Sequence, residues 1–359
     1  MDVKVLPAVQ NLNERPLDTS DIRDLTDEDL LGRRKIVIDL QQISEYLVNR
    51  RVLVTGAGGS IGSELCRQLA RFNPSELIML DRDESALHEV QLSIHGRALL
   101  NTPQTVLADI RDAETIKHIF NTRKPEVVFH AAALKHLPLL ETYPTEAYQT
   151  NVLGTLTLLE ASAQAGVGVF VNISTDKAAN PISVLGYSKR IAERITAHFG
   201  KTVPTGKYMS VRFGNVLGSR GSVLMSFRDQ IANGGPLTVT HRGVTRYFMT
   251  ISEAVQLVIQ AGAIGDSGQA LVLDMGTPVS IYEVAKQLVT NSGKAIDIEI
   301  VGLRAGEKVH EELFGDGEVD VRPSHPLISH VQVSSVSVDA IPTATNDAKQ
   351  LMIDLVASQ

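Results

Sequence analysis

The chain has no tryptophan, one cysteine and few aromatic residues, 4% of its 359 positions. The lone Cys66 excludes an intramolecular disulfide framework and fits a reducing compartment, so a cytoplasmic location is expected. No apolar run approaches the roughly 18 residues that cross a bilayer. The stretch from Met1 to Glu28 is too charged for a secretory signal. Positive charge is not in excess either. Against 41 Asp and Glu there are 34 Lys and Arg, a formal charge of −7, which argues against nucleic acid as the main partner. A local basic cluster can still receive an anionic substrate. Internal repeats and low-complexity tracts are lacking, and 43% hydrophobic residues suffice for a full core over about two domains.

Residues 1–50 read as an irregular extension carrying one short helix near Asp39 to Val48. From Arg51 the pattern becomes strict. Apolar strand runs at 52–55, 77–80, 105–108, 127–131, 169–173 and 208–213 alternate with helical stretches around 61–72, 84–97, 112–121, 143–165 and 186–199. Such alternation predicts an α/β fold of the Rossmann type, a doubly wound parallel sheet with helices on both faces. Ile61, Leu65, Leu69 and Phe72 recur at helical spacing and give the first helix an apolar stripe. After Gly214 glycines and prolines multiply. The expected division is a dinucleotide domain over 51–213 and a smaller mixed substrate region over 214–359, some of whose segments return to the first domain.

The first strand, Arg51 to Thr55, runs into Gly56-Ala-Gly-Gly-Ser60-Ile61-Gly62 and a helix. The spacing that fits is Gly56-x-x-Gly59-x-x-Gly62, a turn that brings backbone N–H groups and a helix N-terminus to a pyrophosphate. Asp81 ends the second strand, placed to accept hydrogen bonds from the adenosine ribose hydroxyls, which favours NAD. The adjacent Arg82 could meet a 2′-phosphate and keeps NADP as the less favoured choice. Asp109 and Ile110 follow the third strand, where adenine would lie. After His130, the small Ala131 and Ala132 let the backbone pass beside a cofactor.

The stretch Ser174-Thr175-Asp176-Lys177 precedes Leu185-Gly186-Tyr187-Ser188-Lys189. Short-chain dehydrogenases carry Tyr-x-x-x-Lys one helical turn apart, so that the ammonium lowers the phenol pKa. Here Leu185 stands four positions before Lys189, and Tyr187 points to another helix face. The usual base is absent, while an acid and a potential base lie side by side in Asp176 and Lys177.

With Val54-Thr-Gly-Ala-Gly-Gly-Ser-Ile-Gly62, His130-Ala-Ala-Ala-Leu-Lys-His136, Thr150-Asn151, Ser174-Thr-Asp-Lys-Ala178, Asn180-Pro181, Arg212-Phe-Gly-Asn215 and Gly302-x-Arg304-x-Gly-Glu-Lys308, the chain resembles the extended short-chain dehydrogenase/reductases. Within them it resembles the UDP-N-acetylglucosamine 4,6-dehydratases of capsule, O-antigen and protein-glycan synthesis, over about residues 25 to 330. Leu185 places it nearer the branch with an apolar residue in the Tyr slot, whose members are usually long and membrane-anchored. Leu30-Leu-Gly-Arg33 looks like the segment that joins such anchors to the catalytic domain. The chain is therefore expected to be a soluble member or the soluble part of a longer protein, and to form a homo-oligomer.

The resemblance implies a UDP-N-acetylhexosamine substrate and bound NAD, and calls for no metal. It makes Lys177 the base at the sugar's C5, Asp176 the acid at the C6 oxygen, Thr175 a partner of the C4 oxygen and Lys189 a contact to the nicotinamide ribose. Asp176 is the first candidate for removing the C4 hydroxyl proton. Lys135 and His136 would border the sugar. Asn215, Arg246 and Arg304 would meet the diphosphate or nucleoside, where arginine's planar fork suits phosphate oxygens. Glu307 would meet the ribose or base. The rival readings are a nucleotide-sugar 4-epimerase and a non-catalytic dinucleotide sensor.

Overall fold

The computed structural model describes Lys4–Val5, Arg23–Asp24 and residues 36–98 and 100–358. The Leu30 to Arg33 stretch lies outside the described residues.

One sheet of eight strands dominates. Strands β1 (Arg51–Thr55), β2 (Glu76–Asp81), β3 (Thr105–Leu107), β4 (Val127–His130), β5 (Val169–Ile173), β6 (Lys207–Arg212), β7 (Gln269–Leu273) and β8 (Ile328–Gln332) are ordered β8-β7-β6-β5-β4-β1-β2-β3. All neighbours are parallel except β8, which runs antiparallel to β7. Because Val52 to Val54, Ile78 to Leu80 and Val127 to Phe129 are buried on both faces, these strands read as continuous apolar runs.

Helices cover each face. On one lie α1 (Leu40–Leu47), α2 (Ser60–Leu69), α3 (Glu84–His95) and α7 (Ile251–Ile264), packed around Leu65, Val90 and Leu257. On the other lie α4 (Ala113–Arg123), α5 (Gly154–Ala165), α6 (Val184–Thr202) and α8 (Ala348–Ala357), around Phe120, Leu158, Ile195 and Met352. The short helix of the extension belongs to this core. Asp39 caps it by accepting from the Gln41 and Gln42 N–H groups, Ile43 and Leu47 are fully buried, and the Tyr46 hydroxyl donates to the Ile259 carbonyl at 2.6 Å.

The helix expected over 143–165 is interrupted. Pro144–Ala147 is α-helical, Tyr148–Leu153 forms a π-turn, and α5 then continues. The wide turn presents Asn151, whose amide accepts from the Leu134 N–H at 2.9 Å and donates to the Leu134 carbonyl at 3.0 Å and to Ser188 Oγ at 3.0 Å. It ties the loop after β4 to α6.

Beyond Gly214, three short ladders build a second cluster around Leu217, Phe227, Leu237 and Phe248. Asn215–Leu217 pairs with Phe248–Thr250, Leu237–Val239 with Ile298–Ile300, and Thr245–Arg246 with Val279–Ser280.

Candidate active site

At the carboxyl ends of β1, β2 and β4 a cleft of about 260 Å³ opens where the strand order reverses, the usual ligand position on such sheets. Its walls bring together Gly56, Gly59, Asp81, Arg82, Asp109, Ile110, Ala131 and Ala132. Ser60, Ile61 and Gly62 are not among them. Ser60 Oγ accepts from the Arg220 N–H at 3.2 Å, and Ile61 packs into the core. A Cβ on Gly62 would fall 2.0 Å from the Gly56 carbonyl oxygen.

The glycines therefore divide by cause. Gly56 has φ +66°, and a Cβ there would meet Ala132 backbone at 2.6 Å. Gly59 caps α2, and its Cβ would meet nothing closer than 3.2 Å within the chain. Its bare backbone leaves room for a group from outside. Asp81 accepts from the Gly58 N–H at 2.8 Å and the Asp83 N–H at 3.0 Å, which fixes its carboxylate at the strand end. Asp109 is gripped by Arg111, whose hydrogen bonds hold its carboxyl below the usual range, and Arg82 lies 3.7 Å from the same carboxylate.

Two polar side chains on this side are buried. Thr150 Oγ1, on the cleft wall, makes no hydrogen bond. Lys189 is 4% exposed, and burial pushes its ammonium down to about 8, with Glu193 pulling the other way. A positive side chain so placed suits hydroxyl oxygens supplied by a ligand. The neighbouring His130 is satisfied instead. Thr155 donates to the Asn151 carbonyl, so its hydroxyl accepts from His130 Nε2–H at 2.9 Å, while Thr55 donates to Nδ1 at 2.8 Å. Burial lowers this imidazole to about 3, and it remains neutral.

The candidate acid-base pair sits where β5 ends. Asp176 and Lys177 lie in a 3₁₀ turn, Asp176–Ala178, capped by Thr175. Lys177 Nζ is 3.0 Å from Asp176 Oδ1, and Thr175 Oγ1 donates to the same oxygen at 2.9 Å. Asp176 Oδ2 is buried without a partner. Burial disfavours the Lys177 ammonium, but Asp176 and then Glu311 outweigh it and raise the pKa. Leu185 is 5% exposed and fills the Tyr slot with aliphatic core packing.

Behind the pair lies a buried ionic network. Ser174 Oγ donates to Glu193 at 2.7 Å, Arg212 bridges Glu193 at 2.8 Å and Glu318 at 2.6 Å, and Arg190 joins Glu318 at 2.9 Å. It anchors the segment near Glu318 to α6 and β6.

The candidate substrate residues occupy the same side of the molecule but in different states. Asn215 Oδ1 is 3.4 Å from Lys177 Nζ. Arg246 is held by Glu307 at 3.1 Å, and its Nε lies 3.8 Å from Glu311. Arg304 is exposed, its N–H donating to Glu307 at 3.2 Å. Lys135 and His136 are exposed, and a Cβ on Gly221 would strike the His136 ring at 2.6 Å.

The sequence assigns no role to three residues. Glu311 stands beside Lys177, Thr150 lies on the cleft wall, and Gly186 packs so closely that a Cβ would meet the Lys177 carbonyl at 2.5 Å. Thr150 left a signal in the Thr150-Asn151 pair and Gly186 as a glycine early in a long helix, whereas Glu311 belongs to none of the motifs.

Comparison with known proteins agrees with this geometry. A family model described as polysaccharide biosynthesis protein matches residues 52–333. The chain is 46% identical over 332 residues to the probable polysaccharide biosynthesis protein EpsC of Bacillus subtilis, covering 91% of the chain and 55% of that protein. It is 45% identical over 340 residues to the capsular polysaccharide biosynthesis protein CapD of Staphylococcus aureus, covering 93% and 56%. It thus spans about half the length of these relatives. The crystal structure of a Thermus thermophilus UDP-glucose 4-epimerase in complex with NAD superposes with a TM-score of 0.61 at 25% identity, over 73% of this chain and 90% of that one. By sequence and by fold, the chain belongs to the polysaccharide biosynthesis family of CapD and EpsC, within the extended short-chain dehydrogenase/reductases.

Proposed function

We propose that the chain is a UDP-N-acetylglucosamine 4,6-dehydratase that forms a UDP-4-keto-6-deoxy-N-acetylhexosamine for surface glycans. The observation that carries this reading is the Asp176–Lys177 contact at 3.0 Å beside an apolar Tyr slot. A simple epimerase needs no second acid.

The cleft suits NAD. Gly59 leaves space for a pyrophosphate, Asp81 on the cleft wall is assigned to the adenosine ribose, Lys189 offers a buried ammonium and Thr150 an unpartnered hydroxyl. Arg82 lies 3.7 Å from Asp109, whose carboxylate competes with a 2′-phosphate for it. Bound there, NAD would take hydride from the sugar's C4 and return it to C6.

The proton steps fall to the chain. Asp176 begins as a carboxylate and accepts the C4 hydroxyl proton, with Thr175 holding the C4 oxygen. Neutralising Asp176 removes one of the two anions that keep Lys177 protonated, so the ammonium releases its proton to solvent and the amine becomes available as a base. Lys177 then takes the C5 proton, made acidic by the C4 ketone. Asp176 passes its proton to the C6 hydroxyl, the C6–O bond breaks and water leaves. As C6 is reduced, the Lys177 ammonium returns a proton to C5, and the amine, again facing the Asp176 carboxylate, takes up a proton from solvent, so both groups recover their starting states. Delivery from the same side retains the C5 configuration. Arg246, Arg304, Asn215, Glu307, Lys135 and His136 are assigned to the nucleotide and sugar.

The test is NMR of the product formed from UDP-N-acetylglucosamine in heavy water. A 4-keto-6-deoxy sugar with deuterium at C5 is expected, and UDP-N-acetylgalactosamine as product would replace this reading by the epimerase.

A further inference from the structure

Glu311 lies far from the Thr175-Asp176-Lys177 turn in the chain, yet its carboxylate reaches it. Oε1 is 3.4 Å from Lys177 Nζ and 3.8 Å from Arg246 Nε, and the side chain is 3% exposed. No solvent reason keeps an acid there, and burying a carboxylate is costly unless it is paired. Among the described residues, the charged groups facing Lys177 are Asp176 from its own turn, Glu311 from the segment after Lys308, and Arg246 from the Thr245–Arg246 strand; Asn215 adds a neutral amide.

We propose that Glu311 is the positioning residue for the reacting lysine: it accepts an N–H of Lys177, aims the amine and strengthens it as a base. The proposal rests on the dehydratase reading for its chemical meaning, since it concerns the step at C5. A neutral amine has two N–H donors and one lone pair, so a fixed acceptor on one N–H restricts where the lone pair points. Asp176 cannot serve throughout, because its charge disappears when it takes up the C4 proton. Glu311 keeps its charge, and it stabilises the ammonium once the C5 proton has been transferred. Arg246 opposes this effect while neutralising the second anion, so it limits how strongly Glu311 holds the resting proton. The site has two carboxylates because one must titrate while the other stays charged.

The experiment is a titration of Lys177 in the substrate-free holoprotein, by competitive acetic anhydride labelling read at the Lys177 peptide by mass spectrometry, alongside the pH profile of kcat. Glu311→Gln should lower the Lys177 midpoint by about one pH unit, the lower end for an opposite charge within a few ångströms. The acidic limb of kcat should move with it, and plateau turnover should fall roughly tenfold from loss of orientation. Glu311→Asp, which keeps the charge on a shorter arm, should fall between, and either variant alone decides the point. An unchanged Lys177 midpoint overturns the proposal, as does a loss of turnover with an unshifted pH profile. The labelling needs no substrate, so a shifted midpoint in a protein that proves to be an epimerase would sink the dehydratase reading alone. An unshifted midpoint in a working dehydratase would sink this one alone.

Discussion

Gly186 and Lys177 touch through their backbones: a Cβ on Gly186 would lie 2.5 Å from the Lys177 carbonyl oxygen and 3.0 Å from Pro181 Cβ. The first turn of α6 is therefore the floor on which the reacting turn rests. Gly186→Ala must displace that floor, and with it Asp176 and Lys177. Turnover should fall by about two orders of magnitude, the scale for ångström misplacement of reacting groups. Cofactor content, measured by absorbance after denaturation, should be unchanged, because Lys189 lies beyond the contact.

Asp176→Asn and Lys177→Met should each lower turnover by about two to four orders of magnitude, the usual effect of removing a positioned acid or base. Tyr187→Phe should be mild, since its ring packs against the apolar core rather than replacing the missing phenol. Steady-state rates on UDP-N-acetylglucosamine check all three. A tenfold loss or less in both charged-residue variants returns the pair to a structural role.

Asp81→Ala removes the carboxylate that fixes the Gly58 N–H and is assigned to the ribose. NAD affinity should drop about tenfold or more, as expected for losing hydrogen bonds to a charged acceptor, and discrimination against NADP should shrink. Reconstitution of stripped protein with each cofactor measures it. Equal activity of the unaltered protein with NADP would overturn the preference.

Lys189 costs stability until a ligand meets it. Its pKa falls from the ordinary 10.5 to about 8 through burial, so between those values the unfolded chain binds more protons than the folded one. Stability should therefore rise as pH increases across that window. In stripped protein, Lys189→Met should add on the order of 2–3 kcal/mol at neutral pH and flatten this rise. Denaturant unfolding at several pH values reads both, and the same variant should retain NAD poorly.

Arg212 and Glu193 are both fully buried, 2.8 Å apart. Despite burial, Arg212 and Arg190 hold the Glu193 carboxyl below its usual range, so its contribution is present at neutral pH and lost as pH falls through that lowered value. Glu193→Gln leaves Arg212 and Arg190 sharing the Glu318 carboxylate, one buried positive charge in excess, and should cost about 3 kcal/mol in chemical unfolding.

What the sequence by itself determined is local. The strands at 51–55, 76–81 and 169–173 follow from apolar runs flanked by turns, and the helix at 40–47 from a capping Asp39 before an apolar pair. The glycine turn, Asp81 and the Thr175-Asp176-Lys177 stretch are legible because each lies within a few residues of the strand end that positions it. The tertiary structure alone decided what faces these elements. The π-turn at Tyr148–Leu153 exists because Asn151 finds Leu134 and Ser188 on other segments, which no helical periodicity encodes. The same packing set Gly62 against the Gly56 carbonyl. Glu311 carries no motif of its own, and its place beside Lys177 depends on how the segment after Lys308 packs against the Asp176–Ala178 turn. Periodicity records which side of an element is buried, whereas the identity of the opposing residue is fixed only when distant elements pack.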